Sequence, residues 1–202
     1  MVTPAIALAT EDELSERIGE RLLDDVGLAV ELRLRRNGFG YLRSNINKLA
    51  DLSKRQPVVL LTDLDQAPCP SELLRKWLGK RGKPEDLVFR VVVRQIEAWL
   101  LADRESLAEL LGSTARRLPI HPELLPNSKQ ALLNLAKRAP RSIRDELIAA
   151  KGAIATQGLG YNSLLCEFAI SKWSPARAEL SAPSLERARR ALESLADRVR
   201  GN

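Results

Sequence analysis

Apolar positions along this chain follow two rhythms. Short apolar runs, unbroken or alternating, are separated by longer stretches in which apolar side chains recur every three or four residues. The first rhythm predicts strands and the second amphipathic helices. Pro4–Ala9 is the first strand candidate. Thr10 with Glu13 three residues on reads as a capping box. Leu14, Ile18, Leu22 and Val26 mark one face of a helix to about Asp25, closed by Gly27. Leu28–Leu34 alternates and predicts a strand with Glu31, Arg33 and Arg35 on its wetter side. Beyond Gly38-Phe-Gly40, a helix is expected from about Leu42 to Ser53, with Ile46, Leu49 and Leu52 inward. Val58–Asp65 is an apolar run set between Pro57 and Pro68, which reads as a buried strand. Ser71–Lys80 predicts a short helix and Leu87–Val93 another strand. Glu97–Leu111 is helical, with a kink near Asp103.

This alternation predicts an α/β fold, with a mainly parallel sheet flanked by helices, over residues 1–112. Residues 113–128 hold Pro119, Pro122 and Pro126 and read as a connector. Residues 129–202 form a helical extension packed on the first domain, with helices expected at 129–138, 142–150, 161–172 and 183–200 and Ser184 as candidate cap of the last.

A length of 202 residues suits one domain or a domain with a small appendix. No apolar run approaches the roughly 18–20 residues of a membrane helix, so no membrane partner is expected. The N-terminus lacks the basic and long apolar regions of a signal peptide. The two cysteines, Cys69 and Cys166, lie far apart and fit reduced thiols. A cytoplasmic protein is expected. A net charge of +6 and a pI near 9.6 permit a polyanionic partner. Aromatic residues at 4% argue against a base-stacking platform.

The chemistry concentrates where the Val58–Asp65 run ends. On a continued strand, Asp63 and Asp65 would share a face and aim at one point on the carboxyl edge of the sheet. Carboxylates that close repel unless a cation or proton lies between them. Glu11 and Asp12 follow the first strand, so three or four carboxylates can converge. Oxygen ligands alone suit Mg²⁺ or Mn²⁺. The plainer alternative is that the aspartates only end a strand and cap a turn. Glu97 opens a helix at the same edge, either as a site residue or as a first-turn carboxylate favoured by the helix dipole. Asp103, six residues on, lies on a different helical face and reads as an N-cap for 104–111. Arg33, Arg35, Arg36, Arg43 and Lys48 surround Gly38-Phe-Gly40 and either hold phosphates or form a solvated face. Arg33, Arg35, Arg43, Lys48, Arg94 and Lys129 are the candidate nucleic-acid contacts; for Lys129 the bland reading is a solvated lysine. His121, the only histidine, sits in the connector and assembles no catalytic triad.

A glutamate after the first strand and a later strand ending in Asp-x-Asp resemble the TOPRIM (topoisomerase–primase) domain, as in overcoming-lysogenization-defect nucleases. More of the chain resembles one bacterial family of uncharacterised TOPRIM-like proteins. The matching pieces are Gly38-Phe-Gly-Tyr-Leu-Arg43, Leu61-Thr-Asp-Leu-Asp65, Arg94-Gln-Ile-Glu-Ala-Trp-Leu-Leu-Ala-Asp103, Asn127-Ser-Lys129, Gly160-Tyr-Asn162 and Ser181-Ala-Pro-Ser-Leu185. The resemblance implies a TOPRIM-like, Rossmann-like fold and Mg²⁺- or Mn²⁺-dependent, nuclease-type phosphodiester hydrolysis. Glu11, Asp63 and Asp65 would be its catalytic residues and metal ligands, with Glu97 and Asp103 as a further metal or supporting pair. It implies a nucleic-acid partner, DNA rather than RNA, and an ATPase encoded nearby in a phage-defence setting. The family's motif glutamate is often followed by Gly where this chain has Asp12, which leaves the register open between Glu11 and Glu13. The family's usual Asp-Pro-Lys is Asn127-Ser128-Lys129 here. Two other functions use the same carboxylates: a partner-activated or inactive module, and a hydrolase of small phosphate esters.

Overall fold

The computed structural model describes residues 6–35 and 39–201. Pro4 and Ala5 of the expected first strand, and Arg36 and Gly38 of the basic cluster, lie outside the described residues. β1 (Ile6–Thr10) is buried at every position. α1 (Glu13–Asp25), β2 (Val30–Arg35), α2 (Phe39–Leu52), β3 (Val58–Asp63), α3 (Pro70–Leu78) and β4 (Leu87–Val92) follow in strict alternation. The four strands form one parallel sheet in the order β2-β1-β3-β4. Ala7 of β1 lies opposite Leu32 of β2 on one side and Val58 of β3 on the other. β1, β3 and β4 are covered on both faces and are therefore almost continuously apolar. β2 and β4 are the two edges of the sheet, but only β2 has most positions exposed, and it keeps the alternating pattern.

The chain steps one way across the sheet from β1 to β2 and the opposite way from β3 to β4. The carboxyl ends of β1 and β3 therefore flank a topological switch point, where open α/β sheets bind ligands. α2 and α3 cover one face, packing Leu42, Ile46, Leu73 and Trp77 against Leu60 and Phe89. α1 covers the other, with Ile18 and Leu22 against Leu8 and Leu61.

After β4 the chain continues as α4 (Glu97–Ala102), α5 (Arg104–Leu110), α6 (Ser128–Ala136), α7 (Arg141–Leu147), α8 (Tyr161–Ser171), α9 (Pro175–Ala178) and α10 (Pro183–Gly201). Residues 113–128 contain 3-10 turns at Ala115–Arg117 and Pro122–Leu124. One unbroken core joins the α1 face of the sheet to Trp99, Leu132, Leu165, Trp173 and Leu192 of the later helices. Two indoles tie that joint together. Trp99 Nε1 donates to Ser184 Oγ at 2.8 Å, and Trp173 Nε1 donates to the Trp99 carbonyl at 3.0 Å. Both rings are fully buried, so these bonds satisfy their otherwise stranded N–H groups.

Local chemistry moved several expected boundaries. Asp12, not Thr10, caps α1, accepting from the Ser15 amide at 2.8 Å, while Thr10 remains in β1. At Asp103 the expectation is met: the helical stretch over 97–111 breaks there, and Asp103 caps α5. Ser184 lies inside the first turn of α10 rather than before it. The helix expected over 142–150 stops at Leu147, and Ile148 pairs antiparallel with Gln157 instead. Among the described residues, no helix is long and apolar enough to cross a membrane.

Candidate active site

Glu11 leaves the end of β1 and reaches across to the end of β3. Its Oε1 accepts the Asp63 amide at 3.2 Å and the buried Thr62 hydroxyl. Burial raises the Glu11 pKa, the two hydrogen bonds lower it, and the charges of Asp65 and Asp12 raise it again, for a net rise. Glu13 belongs instead to the first turn of α1, where its charge acts on Cys166. The geometry thus places Glu11, and not Glu13, beside Asp63.

Asp63 is the last residue of β3. By area it is only half-buried, yet protein atoms surround its carboxylate closely enough that desolvation is the largest cause of its strongly raised pKa. Glu97, Glu11, Asp65 and Asp12 raise it further, in that order. No hydrogen-bond donor among the described residues reaches the Asp63 carboxylate. A carboxylate with no donor and four acidic neighbours is costly to ionise unless a cation is supplied.

Asp65 departs from the expected shared strand face. β3 ends at Asp63, and Asp65 has a left-handed φ of +47°. Its amide bonds the Arg94 carbonyl at 3.0 Å, and Arg94 Nη1 bonds the carbonyls of Asp65 at 2.9 Å and Ala67 at 3.3 Å. The turn, clamped by Arg94, therefore sets where Asp65 points. Asp65 is half-buried, with a pKa raised by desolvation.

Glu97 enters from the first turn of α4 and is buried. Tyr161, at the start of α8, donates its hydroxyl to Glu97 Oε1 at 2.7 Å. Burial raises the Glu97 pKa, while Tyr161 and then Lys129 offset part of the rise. The Tyr161 phenol is raised in turn by burial and by Glu97. Lys129 Nζ lies 4.9 Å from the centre of the Tyr161 ring, a cation–π distance. Its amide donates to Gln95 Oε1 at 3.2 Å, and Asn127 caps α6, in whose first turn Lys129 lies. Lys129 is thus a half-buried member of the acidic cluster rather than a solvated lysine.

Asp103 lies apart from this group. Its carboxylate accepts the Ser106 amide at 3.4 Å, the Ser174 amide at 2.7 Å and the Arg177 guanidinium at 2.9 and 3.0 Å. Those bonds use its oxygens to lock α5 to α9. Arg33 and Arg35 are likewise engaged, with Glu20 at 2.5 Å and Glu16 at 3.2 Å. Arg43 and Lys48 are exposed on α2 and make no ion pair among the described residues. Arg43 joins Lys76, Leu64, Asp65 and Trp77 around a cleft of about 370 Å³. A larger groove of about 780 Å³, between the connector and α6, contains no acidic residue.

Sequence reasoning assigned no role to Tyr161, Thr62, Gln95 or Lys76. Only the Gly160-Tyr-Asn162 piece of the family resemblance touched Tyr161. No spacing rule could pair it with Glu97, 64 residues away.

All the donors at the cluster are oxygens, which fits a hard divalent cation. The donorless Asp63 carboxylate fits one as well. The ligand set is not preassembled, however: among the described residues, no group of three acidic, cysteine or histidine side chains is placed to hold one ion as it stands. Comparison with family models, curated proteins and solved structures finds no match.

Proposed function

We propose that the chain is a Mg²⁺- or Mn²⁺-dependent phosphodiester hydrolase acting on nucleic acid, of the TOPRIM-like kind its motifs resemble. The observation that carries this reading is the Asp63 carboxylate, which lacks any donor and sits amid Glu11, Asp65 and Glu97 at the switch point. Glu11, Asp63 and Asp65 would hold the ion, which would offset the burial that raises all three pKa values and the repulsion that adds to it at Glu11 and Asp63. Bound there, the cation would polarise a phosphoryl oxygen and lower the pKa of an attacking water. Thr62 and the Asp63 amide orient Glu11, Arg94 holds the Asp65 turn, and Tyr161 and Lys129 keep Glu97 in place. Arg43 and Lys76 in the adjoining cleft suit substrate phosphates. Asp103, Arg33 and Arg35 have structural partners and are left out of this assignment.

A second reading has its own support. Among the described residues no three carboxylates are grouped around one point, and a partner such as an ATPase could bring them together. Cleavage of plasmid, linear and single-stranded DNA and of RNA, with Mg²⁺ and with Mn²⁺, tests the first reading. Metal-dependent cleavage abolished by Asp63→Asn supports it. Mn²⁺ binding without cleavage by the isolated chain favours the partner-activated module. Absence of both sinks the metal-site assignment.

A further inference from the structure

The open edge of β4 carries a second charged feature, of opposite sign. A cavity of about 150 Å³ lies between α3, β4 and α10, lined by Ser71, Leu74, Phe89, Arg90, Ser184 and Arg187 among others. It has room for about five waters, and no carboxylate lines it. Arg90 and Arg187 both line it, the charge of Arg187 acts on the Arg90 guanidinium, and neither makes a salt bridge among the described residues. The hydrogen bond of the Arg90 guanidinium is long: Nη1 donates to the Arg187 carbonyl at 3.4 Å. Its Nε is buried without a partner. A buried donor left unmade is a cost that a native structure has to explain.

Other groups nearby do not explain it. The Glu123 carboxylate feels the charge of Arg187, but it accepts the Ser184 amide at 2.9 Å and the Ser184 hydroxyl at 2.6 Å. Ser184 Oγ in turn takes Trp99 Nε1 and the Val93 amide, so it has no capacity left for a ligand. Burial, and then the charge of Arg187, push the Arg90 guanidinium below its ordinary range. Lys83 is lowered by burial first, then by the charges of Arg90 and Arg198, with Glu85 and Asp86 opposing the shift. Glu85 and Asp86 pair with Arg198, so among the described residues the arginines left without an acidic partner at this edge are the two that line the cavity, Arg90 and Arg187. Packing of the Arg90 stem against the sheet accounts for its methylenes. It does not account for the orphaned Nε or for the second arginine beside it.

We infer that the Arg90–Arg187 cavity binds a phosphate-type oxyanion, supplied by a nucleic-acid backbone or by a free phosphate group. The planar guanidinium fork matches phosphate oxygens in paired hydrogen bonds. An anion there would satisfy the Arg90 donors and separate two like charges. The site does not depend on the acidic cluster, so it stands or falls separately from the proposed hydrolase activity.

The test uses the full chain in metal-free buffer at constant ionic strength. Inorganic phosphate and a 12-nucleotide single strand are titrated by calorimetry, and melting is followed with phosphate against chloride. Arg90→Met, which keeps the stem, and Arg187→Ala, on an exposed side chain, are compared with the wild type. Phosphate is expected to bind and raise the melting temperature, and each variant to weaken binding roughly tenfold, the scale of one hydrogen bond to a charged group. Arg90→Met is also expected to melt higher than wild type without phosphate. If the variants also flatten the salt dependence of oligonucleotide binding, by about 0.7 in log–log slope per lost contact, the source is a nucleic-acid backbone. If only the phosphate response is lost, the source is a free phosphate group. A wild type that responds no more to phosphate than to chloride overturns the inference. So do variants that respond like the wild type. Should Arg90→Met fail to fold, Arg187→Ala decides alone.

Discussion

Asp63→Asn should make the metal-free protein more stable. Asparagine keeps the size and polarity of Asp63 but removes the charge that Glu97, Glu11, Asp65 and Asp12 oppose. Glu11 Oε1 is 3.2 Å from the Asp63 amide, so the two carboxylates lie within about 7 Å of each other once the reach of an aspartate side chain is added. At that separation and an effective dielectric of about 20, one like-charge pair costs roughly 2.4 kcal/mol. Protonation caps the cost, and a net gain of about 1–2 kcal/mol is expected, within the range typical of relieved functional sites. For a chain of this length that is a rise in Tm of about 2–8 °C. The sign with pH follows from the direction of the shift. Asp63 has a pKa raised above its ordinary 3.8, so its favourable contribution is complete below that value and is lost as pH rises through the raised pKa. The variant should therefore match the wild type at acidic pH and exceed it at neutral pH. Mn²⁺ should invert the order. At about one hundred times its Kd a ligand adds about 2.7 kcal/mol, which the variant forfeits. Melting curves in chelator and in Mn²⁺, at several pH values, read all of this. A variant that melts below the wild type in chelator at neutral pH refutes the reasoning, as does a wild type indifferent to Mn²⁺.

Tyr161→Phe leaves the buried Glu97 without its 2.7 Å donor; it should raise the Glu97 pKa further and cost about 1.5–3 kcal/mol at neutral pH, with a smaller loss in urea unfolding under acid. Asp103→Asn breaks the bond to Arg177, a side chain 45% exposed; the roughly 3–5 kcal/mol of a fully buried pair is discounted to about 2–3. Urea unfolding measures that loss, and the Mn²⁺-induced rise in Tm should be unchanged, since a reduced rise would put Asp103 back at the metal site. Gly19→Ala sets a helix-propensity gain of up to about 1 kcal/mol against an overpacking cost of about 1–3, because the added methyl would meet buried Leu8 at 2.9 Å. A net loss near 1 kcal/mol is expected, and a gain would show that α1 has room to lift from the sheet.

Local pattern carried much of the fold. Unbroken apolar runs marked β1, β3 and β4 because both faces of those strands are covered. β2 alternated because most of its positions are exposed. Gly27, at φ +69°, closes α1 where the sequence placed its end. The Asp103 kink was legible because an aspartate before a fresh helical pattern is a local cap signal. Boundaries failed where a nearby side chain competed for the same backbone groups, as Asp12 did with Thr10 for the start of α1.

By itself the sequence determined an α/β architecture and a concentration of acids just after two apolar strands, because strand and cap signals are short-range and repeat along the chain. Only the tertiary structure decided which acids meet. Strand order brought Glu11 to Asp63 across 52 residues, and a left-handed turn, not strand period, set Asp65. Tyr161 and Lys129 reached Glu97 from helices far along the chain, while Asp103, Arg33 and Arg35 were drawn off by partners that sequence spacing could not reveal. Charges act through space. Their partners are chosen by packing, and packing depends on the whole chain.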